Sequence, residues 1–521
     1  MIDFYRHTKV FLALLLAGTI LVSMCGCEFF YSEEELSDIL GAEDPSQENA
    51  PSDTEDSLFS LAYYTEEALD PFTASSRTNS ELLHLCYSGL YAVDSTYASQ
   101  PVLAEGCEIE GNTVRIHLKS EIRFSDGTEV TAADCVASFD RAAQKDSLWK
   151  HCFSYIRSYK ALDENTFQVV FHAFYPTQLN LLTIPIVKAQ SLNDGGTPVG
   201  CGRYRLSSDH GLELLRTDCG LFSGNYDVEK ISLLGIADRE ALIYNFNYGR
   251  LKAICVDPSS GADEYRSDSE FVTVPTNRIS FLVVNKTNPA LANVQFSKGL
   301  TYLIDRNDLV SRACGSFATP VWYPLNPVWS KTKEATLNPD IYSIAAATEA
   351  LSAAGFRLDG EVQTFNGKPV TLRILVNREN KSRVKAAEAI ATALRSVGFT
   401  AEVVQATWDE YRIAVETLDF DLYLGEINLS SNLDLSALYS LENCNTGLMN
   451  DEATERLATL SQDLLTGDVD ARTYVNAFQE AMPLIPLYYA QDALAIGMEI
   501  DGTFGNSTSE LYWGIENWYF S

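Results

Sequence analysis

Val370–Val376 reads as a strand, Arg383–Val397 as a helix and Ala401–Gln405 as a returning strand, and no other feature constrains the fold as tightly. In the helix, Val384, Ala387, Ile390, Ala391, Leu394 and Val397 recur at the spacing of one face, and Gly398 ends it. A strand–helix–strand unit of this length lays its strands parallel in one sheet through a right-handed crossover. Trp408–Glu416 continues the alternation as a short helix and Asp421–Ile427 as a strand. Upstream, Ile279–Asn285 reads as a strand and Phe296–Ile304 as a helix. The class is therefore α/β. Open sheets of this kind bind ligands in the crevice beyond the carboxyl ends of their strands. Residues following Val376 and Ile427 become binding candidates on that ground alone.

The first half is also mixed. Leu58–Tyr63 reads as a strand, Asp70-Pro71 as a turn, and Ser80–Leu90 as an amphipathic helix carrying Leu82, Leu83, Cys86 and Leu90. Val114–Leu118 alternates as a half-buried strand does, and Phe167–Phe171 is another. Ser125–Thr128 is a turn, after which Thr131 caps a helix over Ala132–Ala143, with Asp134 favoured in its first turn by the helix dipole.

The amino terminus has a different logic. Arg6 and Lys9 precede an apolar run from Val10 to Met24, too short to span a bilayer as a mature helix. Gly26-Cys27 at its end resembles a bacterial lipobox, with Met24-Cys25 the poorer alternative. The resemblance implies a signal peptide over residues 1–26 and a diacylglyceryl thioether on Cys27, whose two acyl chains suffice for stable anchoring. Residues 28–57 hold eleven acidic side chains and no Lys or Arg, within a chain of net charge −33. Residues 27–57 are thus expected to be a disordered acidic stalk. No other stretch is apolar enough to cross a membrane.

An acidic body excludes nucleic acid, which needs a basic footprint. Nine cysteines remain after Cys25 and Cys27, without CxxC spacing, so neither a disulfide framework nor a zinc site is indicated. Six scattered histidines form no metal motif, and no Walker A loop, nucleophile elbow or dinucleotide fingerprint occurs. The reading is of a protein that is not an enzyme and carries no cofactor and no metal.

Phe124-Ser125-Asp126-Gly127-Thr128-Glu129-Val130-Thr131-Ala132-Ala133-Asp134-Cys135-Val136 is similar to a signature of the extracellular solute-binding proteins of ABC importers, family 5, the oligopeptide, dipeptide and nickel type. Further matches follow in order. Cys86-Tyr87-Ser88-Gly89-Leu90 and Pro198-Val199-Gly200-Cys201-Gly202-Arg203-Tyr204 resemble early and middle motifs of that family. Phe296–Arg306, Ala350–Phe356 and Ile485-Pro486-Leu487-Tyr488 resemble later ones. Most of these pieces are scaffold: turns, caps and helix stops.

The resemblance implies a two-lobed periplasmic-binding-protein-like fold, class II (cluster C), with an extra subdomain in lobe one and a hinge crossed twice. Lobe one is placed at 58–275 plus 488–521, with the inserted subdomain near 85–190, and lobe two at 276–487. In peptide-binding members a carboxylate after a lobe-two strand holds the ligand's ammonium, because a desolvated cation must be paired. Aligning Phe420-Asp421 without gaps puts Ser430 where that acid is expected, so Glu426 or Asp434 has to supply the charge, with Glu426 favoured. Asn428 lies in the same stretch, and Trp408, Tyr411, Tyr63 and Tyr64 are candidate cleft aromatics. The implied function is a monomeric, lipid-anchored extracytoplasmic receptor, at the cell surface or in the periplasm. It would capture oligopeptides or similar solutes and deliver them unchanged to the permease subunits of an ABC importer. The alternatives are a nickel-chelate, haem or opine-type carrier, or a receptor for a peptide pheromone.

Overall fold

The structure, a computed structural model, describes residues 59–521 apart from 194–195, 210, 222–226, 257–263, 267, 316, 336, 338, 340, 440–451 and 506. Cys27, the leader and the stalk lie outside the described residues.

β1 (Ser60–Tyr64) opens the body and α1 (Arg77–His84) follows it. The helix predicted over Ser80–Leu90 starts earlier, at the Ser76 cap, and stops sooner. Its apolar stripe does continue, but Leu85 and Cys86 spend their carbonyls elsewhere. Gly202 N donates to Cys86 O and Tyr204 N to Leu85 O, each at 2.9 Å. Tertiary pairing takes over from the helix there. Next come β2 (Ala104–Glu110), β3 (Thr113–Leu118), α2 (Ala132–Ala142), β4 (Ile156–Ala161) and β5 (Thr166–Phe171). These strands form a separate antiparallel sheet in the order β2-β3-β5-β4, inside the region expected to be an insert. At the head of α2 the Asp134 carboxylate accepts from both Thr131 N and Thr131 Oγ1, a capping contact. β6 (Tyr204–Ser207), β7 (Glu213–Arg216) and β8 (Lys230–Ile236) complete the first sheet, in which β8 runs parallel to β1.

The rest of the chain builds a seven-stranded sheet, with two smaller sheets beside it. Its first members are β9 (Ala253–Val256) and the long β10 (Ser269–Val284). Helices α3 (Val294–Leu303) and α4 (Arg306–Cys314), the short β11 (Ala318–Pro320) and α5 (Ile344–Ala353) lead to the predicted unit. That unit is β12 (Thr371–Asn377), α6 (Lys381–Ser396) and β13 (Thr400–Ala406), with β12 and β13 parallel as expected. α7 (Trp408–Glu416) and β14 (Leu422–Asn428) follow. Helices α8 (Glu452–Thr466) and α9 (Ala471–Ala481) precede β15 (Ile485–Gly497). The sheet order is β9-β15-β10-β14-β12-β13, with β11 on the side of β15.

β10 and β15 carry the architecture. They pair antiparallel over their length with two interruptions: one between Pro275, which faces Gln491, and Ile279, which faces Tyr489, and a shift between Ser280, which faces Tyr488, and Phe281, which faces Pro486. The cores divide at the first of these. Val274, Leu494 and Ile496 pack with Leu61, Val114, Phe139 and Phe167. Ile279, Phe281, Val283 and Tyr489 pack with Tyr411, Tyr423, Tyr474 and Phe478 on one face of the sheet. Leu282, Val284, Ile485, Leu487 and Tyr488 pack with Ile390, Leu394 and Leu424 on the other. Two lobes therefore share two strands. Among the described residues no helix is long and apolar enough to cross a membrane.

Candidate functional site

The sheet itself opens the crevice. β12 and β14 share only two register pairs, Ile374 with Leu422 and Leu375 with Tyr423. After β12 the chain turns into α6, whose Ala387, Ile390 and Leu394 pack on the face of Ile374 and Leu424. After β14 it turns the other way, to α8 and α9, whose Leu457, Leu464 and Tyr474 pack on the face of Leu375 and Tyr423. Connections that diverge from neighbouring parallel strands leave a gap at the strands' carboxyl ends, where such sheets take ligands.

Glu426 stands at this gap. Across three strands, Tyr488 faces Ser280 and Ser280 faces Glu426. Ser280 is fully buried and its Oγ donates to Glu426 Oε2 at 2.9 Å. Among the described residues no Lys, Arg or His nitrogen lies within 4.0 Å of the Glu426 carboxylate. Tyr488 is buried beside it, and that burial pushes its hydroxyl well up, with Cys314 and Glu426 adding to the effect. Burial likewise pushes the Cys314 thiol up, to about 11. The Tyr488 hydroxyl and the Cys314 thiol beside the crevice therefore stay protonated.

Asn428, opposite Arg278 in the register, is exposed at the same edge. Arg278 Nη2 lies 2.5 Å from Asp492 Oδ1, and Arg77 Nη2 of α1 lies 2.7 Å from Asp492 Oδ2. Arg77 also pairs with the buried Glu81 at 2.8 Å. Two cations from different lobes thus share one carboxylate of the crossing strands. Sequence reasoning missed Arg77, Ser280, Arg278 and Asp492. Arg278 and Asp492 lie in strand stretches that the hydrophobic pattern conceals, whereas Ser280 falls inside the strand read over Ile279–Asn285, where nothing local marks it.

The expected site residues do not form one group. Trp408 is half exposed and stacks on Tyr411, with ring centroids 5.7 Å apart and planes 26° apart. Tyr411 is core: it is 4% exposed and its hydroxyl donates to Leu424 O at 2.8 Å. Tyr63 and Tyr64 lie on β1 in the other lobe, where Tyr64 N donates to Asn79 Oδ1 at 2.8 Å. No hydrogen bond or ion pair joins them to Glu426 among the described residues.

Ser430 and Asp434 belong to a seam between the lobes. Ser430 O accepts from Asn277 Nδ2 at 2.6 Å. Asp434 is buried, and its Oδ1 accepts from Ser436 N and Gln462 Nε2, each at 2.8 Å, so that carboxylate is already committed. Between them Ser431 and Asn432 dock on the segment 175–180. Thr177 Oγ1 donates to Asn432 O at 2.6 Å, Asn180 Nδ2 to Ser431 O at 2.9 Å, and Asn432 Nδ2 to Tyr175 Oη at 3.0 Å. Neither of the two acids considered for the ammonium has a Lys, Arg or His nitrogen within 4.0 Å among the described residues, but Asp434 accepts two hydrogen bonds through Oδ1 whereas Glu426 accepts one, at Oε2. No group of three or more His, Cys, Asp or Glu able to hold a metal occurs among the described residues.

Comparison with known proteins bears on the family and the fold. Residues 99–448 match the family model described as bacterial extracellular solute-binding proteins, family 5 Middle. The glutathione-binding protein GsiB of Salmonella paratyphi A is 25% identical over 307 residues, 55% of this chain and 59% of that protein. The match therefore spans a little over half the length of that curated relative. Among solved structures, NikA from Brucella suis in complex with Fe(III)-EDTA superposes with a TM-score of 0.71 at 16% identity. It covers 89% of this chain and 100% of its own. The oligopeptide-binding protein AppA from Bacillus subtilis, in complex with a nonapeptide, gives 0.62 at 18% identity over 89% and 98% of the two chains.

Proposed function

The chain belongs to the bacterial extracellular solute-binding proteins, family 5, and from that premise we propose that it is the receptor of an ABC importer for short peptides or similarly sized zwitterions. Its lobes, at 58–275 plus 488–521 and at 276–487, close over the crevice and release the solute chemically unchanged. Proteins of this family bind solutes; they are not enzymes. Cys27 carries the lipid anchor outside the cytoplasm, the acidic stretch 27–57 spaces the body from the membrane, and the permease receives the ligand. The receptor works as a monomer.

One observation carries the peptide reading: the Glu426 carboxylate is held by Ser280 at the crevice and has no basic partner among the described residues. A desolvated carboxylate of this kind is stabilised by a cation, and a peptide's terminal ammonium is the cation that a solute receptor meets. The glutathione-binding relative and the nonapeptide-bound neighbour support a peptide of modest length. Calorimetric titration of the full chain in detergent with short peptides tests the reading. Saturable binding that Glu426→Gln weakens supports it. Failure of every peptide, while a metal chelate or haem binds tightly or is recovered from the native protein by mass spectrometry, overturns it.

A further inference from the structure

The end of lobe one farthest from lobe two is also where the chain enters the body. β10 marks the distance. Ser269, opposite Gly497, starts the strand at that end, and Pro275, at the interlobe break, stands about 20 Å along it at the rise of a strand. The first described residues arrive beside this start. Lys252 N donates to Ser60 O and Gly497 N to Lys252 O, each at 3.0 Å. Ser521 N donates to Glu499 O at 3.0 Å, and the ring centroid of Phe59 lies 6.3 Å from that of Phe520.

This pole is apolar where it meets water. Met498 is 66% exposed and Tyr248 70%. Tyr244, one helical turn before Tyr248, is also exposed, and the two ring centroids are 4.4 Å apart. Tyr519 and Phe520 are exposed on the last strand of the chain. Lys252 ties the two groups together. Its Nζ donates to Gly249 O at 3.2 Å, next to Tyr248, and stands 5.8 Å from the centroid of the Phe520 ring. Long-stemmed cations among amphipathic rings are the side chains that populate the headgroup zone of a bilayer. Arg266 holds two acids of the pole, 2.8 Å from Glu499 and 3.6 Å from Asp268. Arg250 is exposed and forms no ion pair among the described residues. Glu270 and Asp501 stay exposed, so apolar contact rather than net charge has to drive docking here.

We propose that this pole docks on the lipid headgroup zone of the membrane that holds the Cys27 anchor, parking the receptor with lobe two outward. This goes beyond the receptor reading above and rests on it for the anchor. The tether decides the occupant. Residues 28–58 span at most about 110 Å and reach the body at Phe59, within the pole, so this is the face delivered to the bilayer. The acidic stretch thus sets a reach rather than a fixed stand-off. Tethering supplies an effective concentration at which contacts too weak to hold a free protein are occupied. The permease takes solute from the crevice, at the other end of the lobe, and has no need of this patch. Docked this way, the crevice faces the medium from which solute arrives.

The test uses the lipidated protein, expressed as the full chain, in phosphatidylcholine nanodiscs doped with a gadolinium-chelating headgroup lipid. A spin label is attached at Met498→Cys, or at Ile413→Cys on the exposed side of α7 in lobe two, each in a Cys107→Ser background. Lipid-borne gadolinium should speed relaxation several-fold at the first position and leave the second near its rate without gadolinium. Replacing Tyr244, Tyr248 and Phe520 together by Ser should bring the first position down to the second. A thermal melt, and the mass of the lipidated Cys27 peptide, show that fold and anchor are kept. Where the triple change lowers the melt, Tyr244→Ser with Tyr248→Ser serves instead, since both side chains lie outside the core clusters. Equal relaxation at the two positions in anchored wild type overturns the parking alone, as does relaxation at Met498→Cys that survives the Ser replacements. Broadening between labels without gadolinium shows a second copy on the patch and overturns it too. Protein recovered without lipid on Cys27 overturns the anchor reading and the parking with it.

Discussion

Asn180 and Ser431 bond to each other twice: Asn180 Nδ2 donates to Ser431 O at 2.9 Å, and Ser431 Oγ donates back to Asn180 O at 3.0 Å. The pair ties the insert-bearing lobe to the loop that follows β14. Both bonds exist only while the lobes touch, so they bias the protein toward closure before any ligand arrives. Ser431→Ala removes one of them, a change of about 0.5–1.5 kcal/mol. Small-angle scattering of the ligand-free variant should show a larger radius of gyration than the wild type, and ligand should restore it. An unchanged radius would show that the seam does not hold the lobes.

Arg203 anchors the carboxyl-terminal segment. It is buried, with Nη1 2.9 Å from Glu510 Oε2 and Nε 3.1 Å from Glu516 Oε2, and its guanidinium lies 4.4 Å from the Trp513 ring. Arg203→Met strands two carboxylates in low dielectric, which should cost roughly 3–5 kcal/mol. Denaturant unfolding checks this. Replacing Glu510 and Glu516 by Gln in the same variant should recover part of the loss.

Acid should unlock the turn Ser125–Thr128. Partial burial pushes the Asp126 carboxyl up, but the Lys188 ammonium at 2.5 Å and two bonds from Thr128 outweigh it and hold the group at about 2, against 3.8 ordinarily. A carboxyl depressed on folding stabilises the fold above its unfolded pKa and loses that contribution as pH falls. The stability gap between the wild type and Asp126→Asn should be constant above pH 5 and close between about 4 and 2. Asp126 is about a third exposed, so solvent screening keeps the gap to about 1 kcal/mol or less.

Thiol chemistry should find almost nothing in the native body. Burial pushes Cys86, Cys152, Cys201 and Cys255 up to about 12 each. The eight cysteines of the described residues are all free, and only Cys107 is partly exposed. Brief iodoacetamide treatment followed by peptide mapping should mark Cys107 among these eight, and the other seven only after denaturation. Fast native labelling of Cys255 or Cys314 would contradict the packing described.

How far the sequence carried depended on where the information lay. The unit β12-α6-β13 was readable because five apolar residues of α6, followed by Val397 at its cap, fall on one face and nothing competes with them locally. α7 matches the helix read over Trp408–Glu416, and Thr407 and Glu410 form a complete capping box at its start. β10 was readable only in its second half, because half of the residues in its first half are polar and it contains Pro275. The family resemblance pointed to the stretch 419–434, and side-chain alternation along β14 puts Glu426 on a different face from its odd-numbered neighbours. Nothing in the local pattern distinguished Asp434, sealed by Ser436 and Gln462, from a carboxylate open to a ligand.

The broken ladder between β10 and β15 sets the mechanics of any opening. Residues 276–278 of one strand stand against Ala490 of the other, while hydrogen-bonded pairing resumes on both sides. A pair of strands that passes unbroken from lobe to lobe cannot swing like a loose tether. It can only flex, and flexing concentrates where backbone cross-links are missing, although Thr276 Oγ1 still donates to Ala490 O across this gap. Motion should accordingly centre near this gap, returning each lobe to the same facing surface after every cycle, as a leaf spring does.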